Sequence, residues 1–252
     1  SASAASAGYE RQMDSSVSPT HGAQEGTAWN GHFGCMCYHP LFVFNQFGHL
    51  ERCALRPGNV HSADDWQTVL KPVIARYADG HLMRFFRADS AFAIPELYKT
   101  LETAGYFYAI RLRANRVLQG RIGHLLKRPV GRPPKGVKRV YGDFEYQAAS
   151  WNKPRRVVAK VEWHPGELFP RVGFVVTNLP MEPDWIIRFY NQRGTAEQHL
   201  LAHASIRCQA AHQRRQACNQ LDPLVLQGQG AERGPPSAAR TGLQSRCLPA
   251  RH

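Results

Sequence analysis

A mixed α/β fold, one sheet flanked by helices, is what this sequence predicts, and three observations carry the expectation. Two alternating apolar runs, Gly34–Phe44 and His49–Leu55, are joined by Asn45-Gln46-Phe47-Gly48, the wording of a β-hairpin. Helical and strand-like spacings then alternate from residue 62 to residue 112. Further strand-like runs follow at Phe144–Ala148, Arg156–Trp163 and Val172–Thr177, ahead of a last amphipathic helix.

Residues 1–12 (SASAASAGYERQ) show no apolar periodicity, and an irregular segment is expected there. After the hairpin, Ser62-Ala63-Asp64-Asp65 has the look of a capping motif, and Trp66, Val69, Leu70, Val73, Ile74 and Tyr77 recur at helical spacing, so a helix over about 63–78 is predicted. Leu82–Ala88 reads as a strand ending at Asp89. Ile94–Ala104 reads as a second helix, with Pro95 in its first turn and Gly105 at its end. Tyr106–Leu112 is the next strand. The last helix begins near Pro183, places Ile186, Ile187, Phe189 and Tyr190 on or near one face, and carries Glu197 toward its end.

The sequence has 252 residues, of which 43% are hydrophobic and 10% aromatic, enough for one sizeable core. No run approaches the ~18–20 apolar residues that cross a bilayer, and the first residues lack the layout of a signal peptide, so a cytoplasmic protein with no membrane partner is expected. Six cysteines, with the close pair Cys35 and Cys37, suit reduced thiols. A zinc site at Cys35, Cys37 and His39 is disfavoured, because paired zinc cysteines are ordinarily spaced more widely. The net charge of +13 and a pI near 9.8 favour a polyanionic partner, with nucleic acid foremost.

Near residue 200 the text changes. Every Phe, Trp, Tyr and Lys precedes that point, and residues 201–252 run through Ala, Gln, Arg, Gly and Pro. Such a tail is expected to be low in complexity and disordered, and its abrupt onset fits a frameshift.

Two-metal phosphoryl transfer on nucleic acid needs a few carboxylates from separate elements, because Mg²⁺ takes oxygen ligands and keeps several waters. Asp14, Asp89 and Glu197 have suitable positions: one precedes the hairpin, one ends a strand, one lies on the late helix. Their surroundings are Met13-Asp14-Ser15-Ser16, Phe86-Arg87-Ala88-Asp89-Ser90-Ala91-Phe92 and Tyr190-Asn191-Gln192-Arg193-Gly194-Thr195-Ala196-Glu197. With the run from Gln24 to Asp64, these segments closely resemble the DDE transposases of bacterial insertion sequences, over about residues 13–200. The branch resembled carries Tyr, two residues, Arg, three residues, Glu, six residues, Lys.

That resemblance implies a ribonuclease-H-like fold with a β-rich insertion before the last catalytic helix. It implies a catalytic core over 13–115 and 179–200, with the basic loop and insertion over 116–178. Asp14, Asp89 and Glu197 would be the catalytic residues and would hold two Mg²⁺ ions, with Mn²⁺ as substitute. Tyr190 and Arg193 would contact transposon-end DNA. Double-stranded DNA, as transposon ends and target, would be the partner, and the full-length protein would act as a homodimer on paired ends. Three features depart from the family: position 204 is Ala where the motif has Lys, the text before Asp14 lacks the apolar residues of a central strand, and no end-recognition domain precedes it. Three functions follow: metal-dependent cleavage and strand transfer, an inactive DNA-binding remnant, or a ribonuclease-H-like nuclease outside transposition, against which the motif wording argues.

The stretch 127–140 (KRPVGRPPKGVKRV) is basic and rich in Pro and Gly. Lys127, Arg128, Arg132 and Lys135 are candidate DNA contacts, because cations on a loop gain affinity by counterion release. Gly131-Arg132-Pro133 also resembles a minor-groove hook. Trp29, Trp151 and Trp163 could stack on unpaired bases, although the core is preferred for Trp163.

Overall fold

The structure is a computed structural model that describes residues 8–22, 24–80, 82–127 and 136–193. The chain divides into two units, residues 1–203 and 204–252, and the second lies outside the described residues, as do the expected tail and Ala204.

The main sheet has eight strands. They are β1 (Gly8–Ser15), β5 (Leu41–Asn45), β6 (Leu50–Ala54), β7 (Met83–Ala88), β8 (Tyr106–Leu112), β9 (Lys138–Tyr146), β10 (Arg155–Trp163) and β11 (Arg171–Thr177). Their order is β6-β5-β1-β7-β8-β11-β10-β9. β1, β7 and β8 run parallel and the remaining pairings are antiparallel, which makes the sheet mixed, as expected. β2 (Ser18–Pro19), β3 (Ala28–Asn30) and β4 (Cys35–Tyr38) form a separate small sheet in the order β2-β4-β3. The helices are α1 (Trp66–Arg76), α2 (Pro95–Thr103), α3 (Arg116–Arg121) and α4 (Pro183–Asn191). No helix among the described residues is long and apolar enough to cross a membrane.

The two-residue period of the strands divides the sheet's faces. Met13, Phe86, Tyr108 and Ile110 enter one core with Val69 and Leu70 of α1 and Leu97 and Leu101 of α2. Phe85, Ala109, Val158 and Val175 enter a second core with Ile186, Ile187 and Phe189 of α4. Strands β9 to β11 continue the main sheet beyond β8, so the region expected as a β-rich insertion extends the same sheet.

Several expectations are corrected. Residues 8–12 are not irregular: they belong to β1, paired on one side with β5 and on the other with β7. The strand is polar in text yet central, because its buried polar side chains are paired. Arg11 meets Glu51 at 3.0 Å and lies 4.0 Å over the Tyr77 ring. The predicted run Gly34–Phe44 is broken into β4 and β5 at His39-Pro40, since proline brings no N–H to a ladder. The hairpin between β5 and β6 holds: Asn45 Oδ1 accepts from the N–H groups of Phe47 (3.0 Å) and His49 (2.9 Å), and Gly48 takes φ of 78°.

Helix α1 starts at Trp66, later than expected. Asp64 caps the turn before it by accepting from the His61 N–H at 2.7 Å, while Asp65 occupies the N-cap with left-handed backbone (φ 53°) and no side-chain bond. Arg56, buried at 4% exposure, gathers the carbonyls of His39, His61, Ser62 and Asp64 around that turn. Pro72 inside α1 leaves the Thr68 carbonyl without its helical N–H, and Arg52 Nε donates to it at 3.2 Å. Helix α3, which the spacing did not predict, is capped by Asn115, whose Oδ1 accepts from Leu118 N–H at 2.8 Å.

A third polar cluster pins α2 to the antiparallel strands. Glu102 accepts from Arg155 Nε at 3.0 Å and from the Tyr108 hydroxyl at 2.9 Å, and Lys153 pairs with it at 2.8 Å. Burial pushes the Glu102 pKa up, but these donors outweigh it and the net shift is downward from the ordinary 4.5. The folded state therefore binds this proton less readily than the unfolded chain. Glu102's contribution to stability is complete above the ordinary carboxylate range and is lost as pH falls through the lowered folded value. Melting temperature followed from about pH 6 to pH 3 should fall on the acid side, and Glu102→Gln should flatten part of that fall. An unchanged acid limb in the variant would show that Glu102 is not linked to folding.

Candidate functional site

The C-terminal ends of β1 and β7 meet the end of α4. Met13 pairs with Ala88 in the parallel register, so Asp14 and Asp89 are the next residues on neighbouring strands, whose backbones lie about 4.8 Å apart. Both belong to the alternate set that faces α4.

Three strand residues of that set bind α4 and the turn after it, and a fourth, Glu10, supports one of them. Gln12 Nε2 donates to the Arg193 carbonyl at 2.8 Å. Asp14 Oδ2 accepts from Arg193 Nη2 at 2.8 Å, with side-chain exposures of 7% and 14%. Arg87, 5% exposed, donates to the Phe189 carbonyl at 2.8 Å and to Gln192 Oε1 at 3.2 Å. Glu10 balances Arg87 at 2.8 Å. A cation at these last carbonyls satisfies groups that a helix end leaves open and complements its dipole.

Electrostatics tie the four sequence-predicted residues of this region together. Burial would lower the Arg193 pKa, but Asp14 and Tyr190 reverse that and hold the guanidinium charged. Burial raises the Tyr190 pKa; Arg193 and Arg111 oppose the rise and Asp89 adds to it. Asp89 also accepts from Ala91 N–H at 2.9 Å, which caps a single 3₁₀ turn at Ser90–Phe92.

The structure thus brings Asp14, Asp89, Tyr190 and Arg193 into one neighbourhood. Arg193 does not continue α4 as expected: the helix ends at Asn191, and Arg193 N–H closes a turn on the Tyr190 carbonyl at 3.0 Å. Lys127 is exposed and follows α3 in the chain. Glu197, Arg128, Arg132 and Lys135 lie outside the described residues. Gln12 and Arg87 are not among the residues the sequence singles out, although a polar residue at every second position of β1 and an Arg between Phe86 and Ala88 in β7 are available signals.

Two aspartates are suitable oxygen donors for a hard divalent cation. In the geometry present Asp14 carries the Arg193 guanidinium, and among the described residues, which do not include Glu197, no group of three His, Cys, Asp or Glu could hold a metal ion. The same holds for Cys35, Cys37 and His39; Cys37 is fully buried and His39 Nδ1 contacts the Val60 carbonyl at 3.0 Å. Trp163 (7% exposed) and Trp151 (5%) are core residues, the latter packed edge-on to Tyr98 and Tyr146, while Trp29 is 59% exposed.

No curated protein matches the chain. Among solved structures, piggyBac transposase in a synaptic complex with hairpin DNA aligns at 12% identity with a TM-score of 0.43, over 75% of this chain and 39% of that one, so the chain spans well under two thirds of that protein. A family model described as transposase DDE domain group 1 matches residues 12–227. The match takes in both aspartates, Tyr190, Arg193 and Glu197 and runs past residue 200, where the composition changes. With most of its length matched, this chain belongs to the transposase DDE domain family, group 1.

Proposed function

We propose that this chain is a DNA-binding domain of a DDE transposase whose first aspartate is closed by its own arginine, so that it binds duplex DNA without cutting it. The observation that carries the reading is the Asp14–Arg193 ion pair, which gives the first aspartate a guanidinium where cleavage would require a metal ion. Family membership and a net charge of +13 support DNA as the partner. Tyr190, Arg193 and the basic residues Lys127, Arg128, Arg132 and Lys135 are the proposed contacts, and the binding energy of the four basic residues comes largely from counterion release.

Fluorescence anisotropy with a short labelled duplex tests this. Affinity should fall linearly on a double-logarithmic plot against salt concentration, with a slope of about −0.9 for each phosphate neutralised. Salt-independent binding, or none at low salt, would overturn the assignment. A second reading, cleavage and strand transfer with Asp14, Asp89 and Glu197 holding Mg²⁺ or Mn²⁺, is favoured by the matched register of the two aspartates. In that reading Arg193 must leave Asp14 first, and the full-length protein works as a homodimer on paired ends.

A further inference from the structure

Beside α4, on the same face of the sheet as Asp14 and Asp89, the added strands form an open groove of about 230 Å³. Its walls include Arg111 of β8, Lys160 and Glu162 of β10, and Arg171 of β11, and it reaches Tyr190 and Asn191 at the end of α4. The register explains the clustering. Lys160 pairs with Gly173, and Val175 pairs with Arg111, so alternate residues of three adjacent strands project from one face.

Three cations line the groove, Arg111, Lys160 and Arg171, against one lining acid, Glu162. Glu162 lies 2.9 Å from Arg139 and 3.2 Å from Lys160, and Glu167 pairs with Arg171. Arg111 is exposed and has no ion pair among the described residues.

Gly173 supplies a second, independent observation. Glycine inside a strand costs stability and marks places where another backbone or a ligand comes close. Here no atom lies within 4 Å of where its Cβ would stand, so protein packing does not demand the glycine. Its effect is to keep the floor open between Lys160 and Arg111.

We infer that this groove holds the sugar-phosphate backbone of bound DNA, with Arg111, Lys160 and Arg171 on the phosphates and Gly173 giving the strand room. The inference rests on the DNA-binding reading above and adds a surface to it. The track leads along the sheet face to Tyr190, so a strand lying in it is delivered toward the two aspartates.

The test uses the full chain, a short duplex and two variants. Arg111→Ala with Lys160→Ala should weaken binding on the order of tenfold at moderate salt and lower the salt slope by about one per cation removed. Gly173→Val removes no charge, fills the floor and should weaken binding while its melting temperature holds or rises, since valine suits a strand better. If the unaltered chain binds DNA and both variants bind with the same affinity and slope, the groove is not the track, and the DNA-binding reading stands. If the unaltered chain fails to bind, that reading falls and the groove with it. Equal competition by poly-glutamate would also overturn the assignment to a nucleic-acid backbone.

Discussion

Glu51→Ala will destabilise the fold by about 3–5 kcal/mol, the range for breaking a buried ion pair. Arg11 sits at the centre of the sheet with 1% of its side chain exposed, and Glu51, at 5%, is its counter-charge at 3.0 Å. Glu51 also accepts from the Tyr77 hydroxyl at 3.1 Å, which ties the end of α1 to β6. Removing the carboxylate leaves a guanidinium held between Tyr9 and Tyr77 with no acid to balance it. Chemical denaturation should show the loss as a lower midpoint with an unchanged slope. The double variant Arg11→Met with Glu51→Leu should recover most of it, because replacing both charges removes the desolvation cost. A single-variant loss below about 1 kcal/mol would mean that the pair is solvated, and β1 would not be the buried strand described.

Arg87→Ala will cost about 2–3 kcal/mol and will loosen the end of α4 in particular. The figure sits below that for Glu51 because Glu10, the acid left behind, is 21% exposed and recovers water. The lost bonds are those to the Phe189 carbonyl and Gln192, together with the stacking of the guanidinium 4.8 Å from the Phe189 ring. Amide hydrogen exchange should therefore speed up in α4 while β7 and β8 stay protected. DNA affinity should fall as well, since Tyr190 and Arg193 would no longer be held beside the aspartates. Uniformly faster exchange across the sheet would contradict a local anchoring role.

The alternation of helix and strand was legible because α1, α2 and α4 carry apolar residues at helical spacing and β7, β8, β10 and β11 are rich in Val, Phe and Tyr. β1 was not, since Tyr9, Glu10, Arg11, Gln12 and Asp14 read as surface text. Their burial depends on partners 40 to 181 residues away, Glu51 and Arg193 among them, which no local pattern contains. The same limit hid the joining of β9, β10 and β11 to β8, because strand order follows from pairing and the sequence shows only the strands. Asn115 was a readable cap for α3, passed over because the helix behind it is only 6 residues long. Of the site, the Asp14 and Asp89 positions were readable from motif wording. The Arg193 contact to Asp14 was not, since it requires the chain to turn after Asn191 instead of continuing the helix.

Manganese binding decides whether Arg193 closes Asp14 to a metal ion, because Mn²⁺ reports through its electron paramagnetic resonance signal whether or not any DNA is cut. The unaltered chain is expected to bind Mn²⁺ weakly, Asp14→Asn to change this little, and Arg193→Ala to strengthen binding by removing the guanidinium from the Asp14 carboxylate beside Asp89. Stoichiometric, tight Mn²⁺ binding by the unaltered chain that disappears in Asp14→Asn would contradict this and would favour the metal-dependent reading.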